Sequence, residues 1–230
     1  MSDWWLDEVS HAGAEHLDPS YVDGYDTKAG YDPTDDIAAL ELVGLSPNSI
    51  VIDLGAGTGT FAIAAAKRCG HVIAIDVSAA MAEAIRRRSA ADGVHNLTVV
   101  QAGFVSYDHC GAPADIVFSR NALHHLPDFW KAIAVTRIHA MLRPGGILRL
   151  RDLIFDFDPA NAQHALDAWL NGASPDPAGG YTADELRAHV REEFSTYRWI
   201  IEAMLDHAGF QILTCDYRRS VYGTYTCRRR

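Results

Sequence analysis

Val51-Ile52-Asp53-Leu54-Gly55-Ala56-Gly57-Thr58-Gly59-Thr60-Phe61 sets the organisation of the chain. It opens as a buried strand, because Ser49-Ile50-Val51-Ile52 is β-branched and as short as a central parallel strand. It closes as a helix, because Phe61-Ala62-Ile63-Ala64-Ala65-Ala66-Lys67-Arg68 is rich in helix formers and is followed by Gly70. Between the two, Gly55, Gly57 and Gly59 allow a tight turn and let a ligand approach the backbone with no Cβ in the way. A helix start behind such a turn presents unpaired N–H groups. The loop therefore suits a polar or anionic group at the carboxyl end of a strand.

Glycine spacing alone is a common pattern. Here it leads into Val72-Ile73-Ala74-Ile75-Asp76, a second strand ending on an acid placed to accept ribose hydroxyls. Strand, glycines, helix, strand and acid in that order predict a nucleoside-binding α/β unit. Working outward, residues 35–45 read as a helix with Thr34 as cap, and residues 79–91 as a helix capped by Ser78. Strands are expected at 96–101, 114–119 and 147–152, the last after a turn at Pro144-Gly145-Gly146. A helix from Pro127 to about Met141 lies between the last two. Alternation of this kind requires right-handed crossovers and a parallel sheet. Thr182 and Glu185 form a capping-box pattern, and residues 210–217 and 221–227 read as an antiparallel hairpin.

Four segments carry a resemblance to a known family. Asp53 to Gly59 resembles motif I of the class I S-adenosylmethionine-dependent methyltransferases, and Asp76 matches that family's ribose-binding acid. The run from Asp115 to Leu126 is similar to its fourth-strand motif, and Leu142 to Leu148 to the turn before its fifth strand. The resemblance implies a Rossmann-like, doubly wound α/β sheet of five parallel strands plus a C-terminal antiparallel hairpin. That makes seven strands, with helices on both faces. The expected division is a helical, aromatic cap over 1–46 and a cofactor-binding domain over 47–230, with a helical insertion at about 157–193.

At 230 residues the chain holds one domain with elaborations. A net charge of −10 argues against sequence-independent nucleic-acid binding. No leader-like or spanning apolar segment is evident, so no membrane association is expected. Cys69, Cys110, Cys215 and Cys227 are scattered without metal-type spacing, as expected for reduced thiols in a cytoplasmic protein, and no metal site is expected. Asp3 to Val9 suggests a short amphipathic helix carrying Trp4 and Trp5, and Tyr21 to Pro33 an irregular or broken helix. That aromatic stretch is either plain cover for the core or a lid over the site, with Tyr25 and Lys28 the residues that touch cofactor in the second case.

The resemblance implies S-adenosylmethionine as cofactor. Gly55, Ala56, Gly57, Thr58 and Gly59 would hold its amino-acid end, with Asp53 receiving the ammonium. Asp76 would take both ribose hydroxyls, and Val77 and Met81 would line the adenine. Gly103 and Phe104 stand where the family often has Gly-Asp, so the acid that contacts the adenine amine is missing. Ser119, Arg120 and Asn121 would lie beside the methionine part. Methyl transfer from a sulfonium is an in-line displacement that alignment alone accelerates, with a base needed only if the acceptor must lose a proton. His124 and His125 follow the fourth strand and are base candidates, with His124 preferred, and Asp152 is a second. The segment after the fourth strand lacks the Asn/Asp-Pro-Pro-aromatic and Pro-Cys patterns of members acting on nucleobases or glutamine. The expected partner is a small-molecule methyl acceptor. Two other classes compete. A nicotinamide dehydrogenase would space its glycines Gly-x-Gly-x-x-Gly, one residue wider than here. A cofactor-binding protein without activity would silence a methyl-transfer assay.

Overall fold

The computed structural model describes residues 3–230. Its strands are β1 (Ile50–Leu54), β2 (His71–Asp76), β3 (Leu97–Gln101), β4 (Ala114–Arg120), β5 (Leu142–Phe155), β6 (Thr196–Tyr197), β7 (Phe210–Arg218) and β8 (Tyr222–Arg229). They form one sheet in the order β3-β2-β1-β4-β5-β8-β7, with the two-residue β6 beside β5. The pairs from β3 through β5 are parallel, and β8 runs antiparallel to both β5 and β7. The order reverses between β1 and β4, which opens a crevice at the carboxyl ends of those strands.

The helices are α1 (Ala14–Leu17), α2 (Pro19–Ala29), α3 (Thr34–Leu42), α4 (Thr60–Ala66), α5 (Ala79–Ala91), α6 (Asp128–Met141), α7 (Ala162–Leu170), α8 (Ala183–Glu192) and α9 (Arg198–His207). Alternate residues of each central strand enter opposite layers. Val51, Val72, Ile116 and Phe118 pack with Leu40, Phe61 and Ile85 from α3, α4 and α5. Ile52, Leu54, Val117 and Leu148 pack with Trp130, Ile138 and Leu205 from α6 and α9. The Phe61 and Phe118 rings stack at 3.6 Å, so the helix after the glycine turn is seated directly on β4. Full burial of side chains this size contributes about 1.5–3 kcal/mol each, which fixes the loop ends rigidly.

Three expectations change. Asp3 to Val9 does not form an amphipathic helix: the chain turns there and makes only a short 3₁₀ turn at Val9–His11. Both tryptophans instead pack on Trp130, Trp5 edge-on at 5.1 Å and the exposed Trp4 stacked at 6.1 Å. The stretch from Tyr21 is a regular helix rather than a broken one. Asp18 caps it through Ser20 N–H at 2.8 Å, Pro19 starts it, and Gly30 ends it at φ +52°. Good caps outweigh the interior Gly24, whose cost is about 1 kcal/mol. Finally, Pro144-Gly145-Gly146 lies within β5, where a register shift opposite Ala114–Ile116 absorbs the bend.

Candidate functional site

Leu54 at the end of β1 lies opposite Ile75 and Ser119. The chain then turns at once, and the Gly55 and Ala56 N–H groups donate to the Ile75 carbonyl at 2.9 and 3.0 Å. A Cβ on Gly55 would stand 2.2 Å from the Ala122 Cβ, so the glycine turn and the loop after β4 touch. Gly57 N–H donates to Asp76 Oδ2 at 2.8 Å, and Ser78 N–H to Oδ1 at 2.9 Å. Each carboxylate oxygen keeps acceptor capacity beyond those bonds. Burial pushes the Asp76 carboxyl up to about 6, against the lowering pull of the two N–H groups. Asp53 is 2% exposed, and its Oδ2 is buried without a hydrogen-bond partner. Burial, then the neighbouring Asp76 charge, raises its carboxyl well above the usual range. An orphaned buried carboxylate oxygen calls for a donor.

Two cavities flank this turn, and a third opens beside the first. The first is lined by Gly55, Gly57, Asp76, Val77 and Met81, and on its other side by Gly103, Phe104, Arg120 and Asn121. The second is lined by Asp53, Ala56, Thr58, Arg120 and again the glycine turn. The third, of about 710 Å³, is bordered by Tyr181, Tyr222, His124, His189 and Glu193. It shares His16, Tyr25, Asn121 and His125 with the first. Tyr25, from α2, lines all three. Asn121 takes a positive φ of +49°, held by its N–H to the Arg151 carbonyl at 2.8 Å. Arg120 stacks on the Tyr31 ring at 3.9 Å, and burial lowers the pKa of its guanidinium.

Most of the residues expected at the site are therefore brought together, and three are not. Ser119 is fully buried with its Oγ unpartnered and borders none of these cavities. Gly59 opens α4 against Ile85 and lies behind the turn. Lys28 is drawn to Glu185 on α8 and to the Tyr21 and Tyr181 rings, one helical turn beyond Tyr25, so it ties α2 to α8 rather than facing the glycines.

The loop after β3 holds a carboxylate that comes from the segment before α1. Glu8, buried, accepts Val105 N–H at 3.1 Å, Ser106 N–H at 2.9 Å and Ser106 Oγ–H at 2.6 Å. Its carboxylate lies where a Gly103 side chain would be, 2.4 Å from the Cβ position, and it lines the first cavity. Glu8→Ala is expected to cost roughly 2–4 kcal/mol, since it leaves three donors unpaired. It should also speed proteolysis of the segment before α1, and unchanged cleavage at Trp4, Trp5 and Leu6 in a limited-chymotrypsin time course would rule the anchor out.

The histidines after β4 form a charged cluster. His124 Nδ1 lies 2.5 Å from Asp152 Oδ1, and His124 Nε2 lies 3.0 Å from Glu193 Oε2. Burial alone would push the imidazole down, but those carboxylates outweigh it and hold its pKa at about 9. Burial and the His124 charge push His125 down to about 3. Asp152 also accepts the Leu123 and Leu153 N–H groups at 2.8 and 2.7 Å, and its carboxyl sits below the usual range because His124 outweighs burial. His16, Glu8, Tyr181, His189 and Glu193 were not singled out from sequence. His189 and Glu193, four apart at a helix end, were the one local signal among them.

A family model described as a methyltransferase domain matches residues 51–146, from β1 into β5. An uncharacterized methyltransferase of Geobacillus kaustophilus is 32% identical over 165 residues, covering 69% of this chain and 72% of that protein. A ubiquinone/menaquinone biosynthesis C-methyltransferase of Hydrogenovibrio crunogenus is 26% identical over 188 residues, covering 75% and 71%. The fold is also that of magnesium protoporphyrin IX methyltransferase from Synechocystis, solved with S-adenosylmethionine bound, at a TM-score of 0.66, 16% identity and full coverage of both chains. The tight glycine turn over a strand-end acid is thus not a dinucleotide fingerprint: this chain is an enzyme of the class I S-adenosylmethionine-dependent methyltransferase family.

Proposed function

We propose that the chain methylates a small molecule held in the 710 Å³ cavity, with the donor lying along the two cavities that flank the glycine turn. The observation that carries this reading is the seam of His16, Tyr25, Asn121 and His125, where donor and acceptor spaces meet. Asp76 takes the ribose hydroxyls with the oxygen capacity left after Gly57 and Ser78. Asp53 meets the ammonium of the methionine end together with the glycine backbone, and its orphaned oxygen supports this. Val77, Met81 and Phe104 wall the adenine, and Glu8 stands where the adenine amine would seek an acid.

A small acceptor is supported by the walled cavity, by the net charge of −10 and by the likeness to a C-methyltransferase of ubiquinone/menaquinone biosynthesis. A 27-O-demethylrifamycin SV methyltransferase of Amycolatopsis mediterranei, 28% identical over 144 residues, points the same way. Four free cysteines fit a reducing compartment. The stretch from Tyr21 to Pro33 then acts as a lid: the donor-side cavities measure about 80 and 40 Å³, against roughly 300 Å³ or more for a ligand of this size, so α2 must lift to admit it.

The transfer runs on alignment. A general base needs a pKa near the working pH. His124 holds its proton to about 9 and lies between two carboxylates, so the base role expected of it is withdrawn. Asp152, depressed and fully hydrogen-bonded, is withdrawn likewise and serves to orient His124. Incubation with methyl-labelled S-adenosylmethionine and a fractionated cell extract tests the reading. Label is expected in the low-mass fraction, and label confined to RNA or protein would refute it.

A further inference from the structure

Four side chains from two distant parts of the chain turn donor atoms toward one point in the wall of the large cavity. Around Glu193 Oε2 stand His189 Nδ1 at 2.6 Å, His124 Nε2 at 3.0 Å and His125 Nδ1 at 4.0 Å. One donor atom each of His124, His125 and Glu193 lies within 4.8 Å of the others. At a tetrahedral ion with bonds of about 2.0–2.2 Å, neighbouring ligand atoms stand roughly 3.3–3.6 Å apart. The observed spacings bracket that value, so small side-chain rotations bring the donors into register.

The cluster is also supported from behind, as metal ligands are. His124 uses its other nitrogen on Asp152, and His189 uses Nε2 on Ser195 Oγ at 2.7 Å. Each ring is thereby aimed at Glu193 by its rear hydrogen bond. The Glu193 segment is clamped in turn. Phe194 N–H donates to the His124 carbonyl at 2.9 Å, and the buried Lys131 ammonium donates to the Phe194 carbonyl. Inside this frame, His125 Nδ1 is a buried polar atom without a hydrogen-bond partner, although charged neighbours crowd it. Such atoms are rare in a folded protein unless something else satisfies them.

We propose that His124, His125 and Glu193, with His189 as a fourth donor, bind one divalent ion of the zinc type. Imidazole nitrogens with a single carboxylate suit that class of ion rather than magnesium or calcium, which prefer oxygen. The site faces the large cavity beside Asn121 and Tyr25. Given the reading above, an ion there would take a lone pair of the acceptor and hold it toward the donor.

The test is calorimetric titration of zinc into chelator-treated protein, with S-adenosylmethionine affinity measured in parallel. One ion per chain at micromolar Kd or tighter is expected. Glu193→Ala should weaken it by at least tenfold while leaving cofactor affinity within about twofold, and His125→Ala, which also borders the donor cavity, should weaken zinc by at least tenfold. Asp152→Asn, which removes only the support of His124, should weaken zinc about tenfold. If a variant loses cofactor binding as well, His189→Gln serves in its place and should weaken zinc by a similar factor. Absence of saturable zinc binding, or binding indifferent to these substitutions, overturns the site. Zinc binding without methyl transfer to any acceptor would sink the proposed function and leave the ion site standing. Methyl transfer without zinc binding would do the reverse.

Discussion

Gly55→Ala is expected to lower the melting temperature by roughly 5–15 °C. Two costs combine. The residue sits at φ +72°, where an L side chain costs about 1–2 kcal/mol. The new Cβ would also fall 2.2 Å from that of Ala122, an overlap that costs about 1–3 kcal/mol to relieve. Ala122 is fixed from behind: its N–H and that of Leu123 reach Asp152 at 3.3 and 2.8 Å, so the loop has little freedom to retreat. Gly57→Ala is the control. It carries φ +55°, yet its Cβ would meet only the Tyr25 ring at 3.7 Å, an ordinary contact. Thermal melts of the two variants should differ by several degrees, and equal shifts would show that the Ala122 contact is elastic.

Asp76→Ala is expected to weaken S-adenosylmethionine binding at least tenfold, because a charge-assisted pair of hydrogen bonds is lost. Calorimetry reads this directly, and unchanged affinity would remove the ribose assignment. The same carboxyl should make binding depend on pH. Its folded pKa, about 6, lies above the ordinary 3.8. Affinity should therefore fall as pH drops through about 6, and Asp76→Asn should flatten that slope. The sign is opposite for the unliganded protein. A raised carboxyl pKa contributes stability that is full below its unfolded value and lost as pH rises through about 6. From this group alone, the empty protein gains stability on mild acidification while its affinity for the donor declines. Melts with and without cofactor between about pH 5 and pH 8 should show the two curves converging toward the acid side.

What could be read from the sequence was local. The Ser78 cap and the Thr182–Glu185 capping box sit three residues from what they bond, and Asp76 stands one helix and one strand past the Gly57 it meets, so their patterns announce them. A parallel sheet followed from alternation and handedness. Groups that act across the fold could not be read that way. Glu8 reaches Val105 and Ser106 across nearly a hundred positions. Glu193 meets His124 only because the chain after β5 folds back over the end of β4. Gly24 misled for a different reason: breaker signals were counted without the caps that outweigh them at Asp18, Pro19 and Gly30. The surroundings of His124 were hidden by distance in sequence, since its two carboxylate neighbours, Asp152 and Glu193, lie far along the chain.

Tyr25 belongs to every chamber at once, and that has a kinetic meaning. A single ring that borders both substrates ties their traffic to one hinge, fastened at its far end by the Lys28–Glu185 ion pair. If donor and acceptor occupy those chambers as proposed, ordered rather than random loading is the expected result, read from product-inhibition patterns.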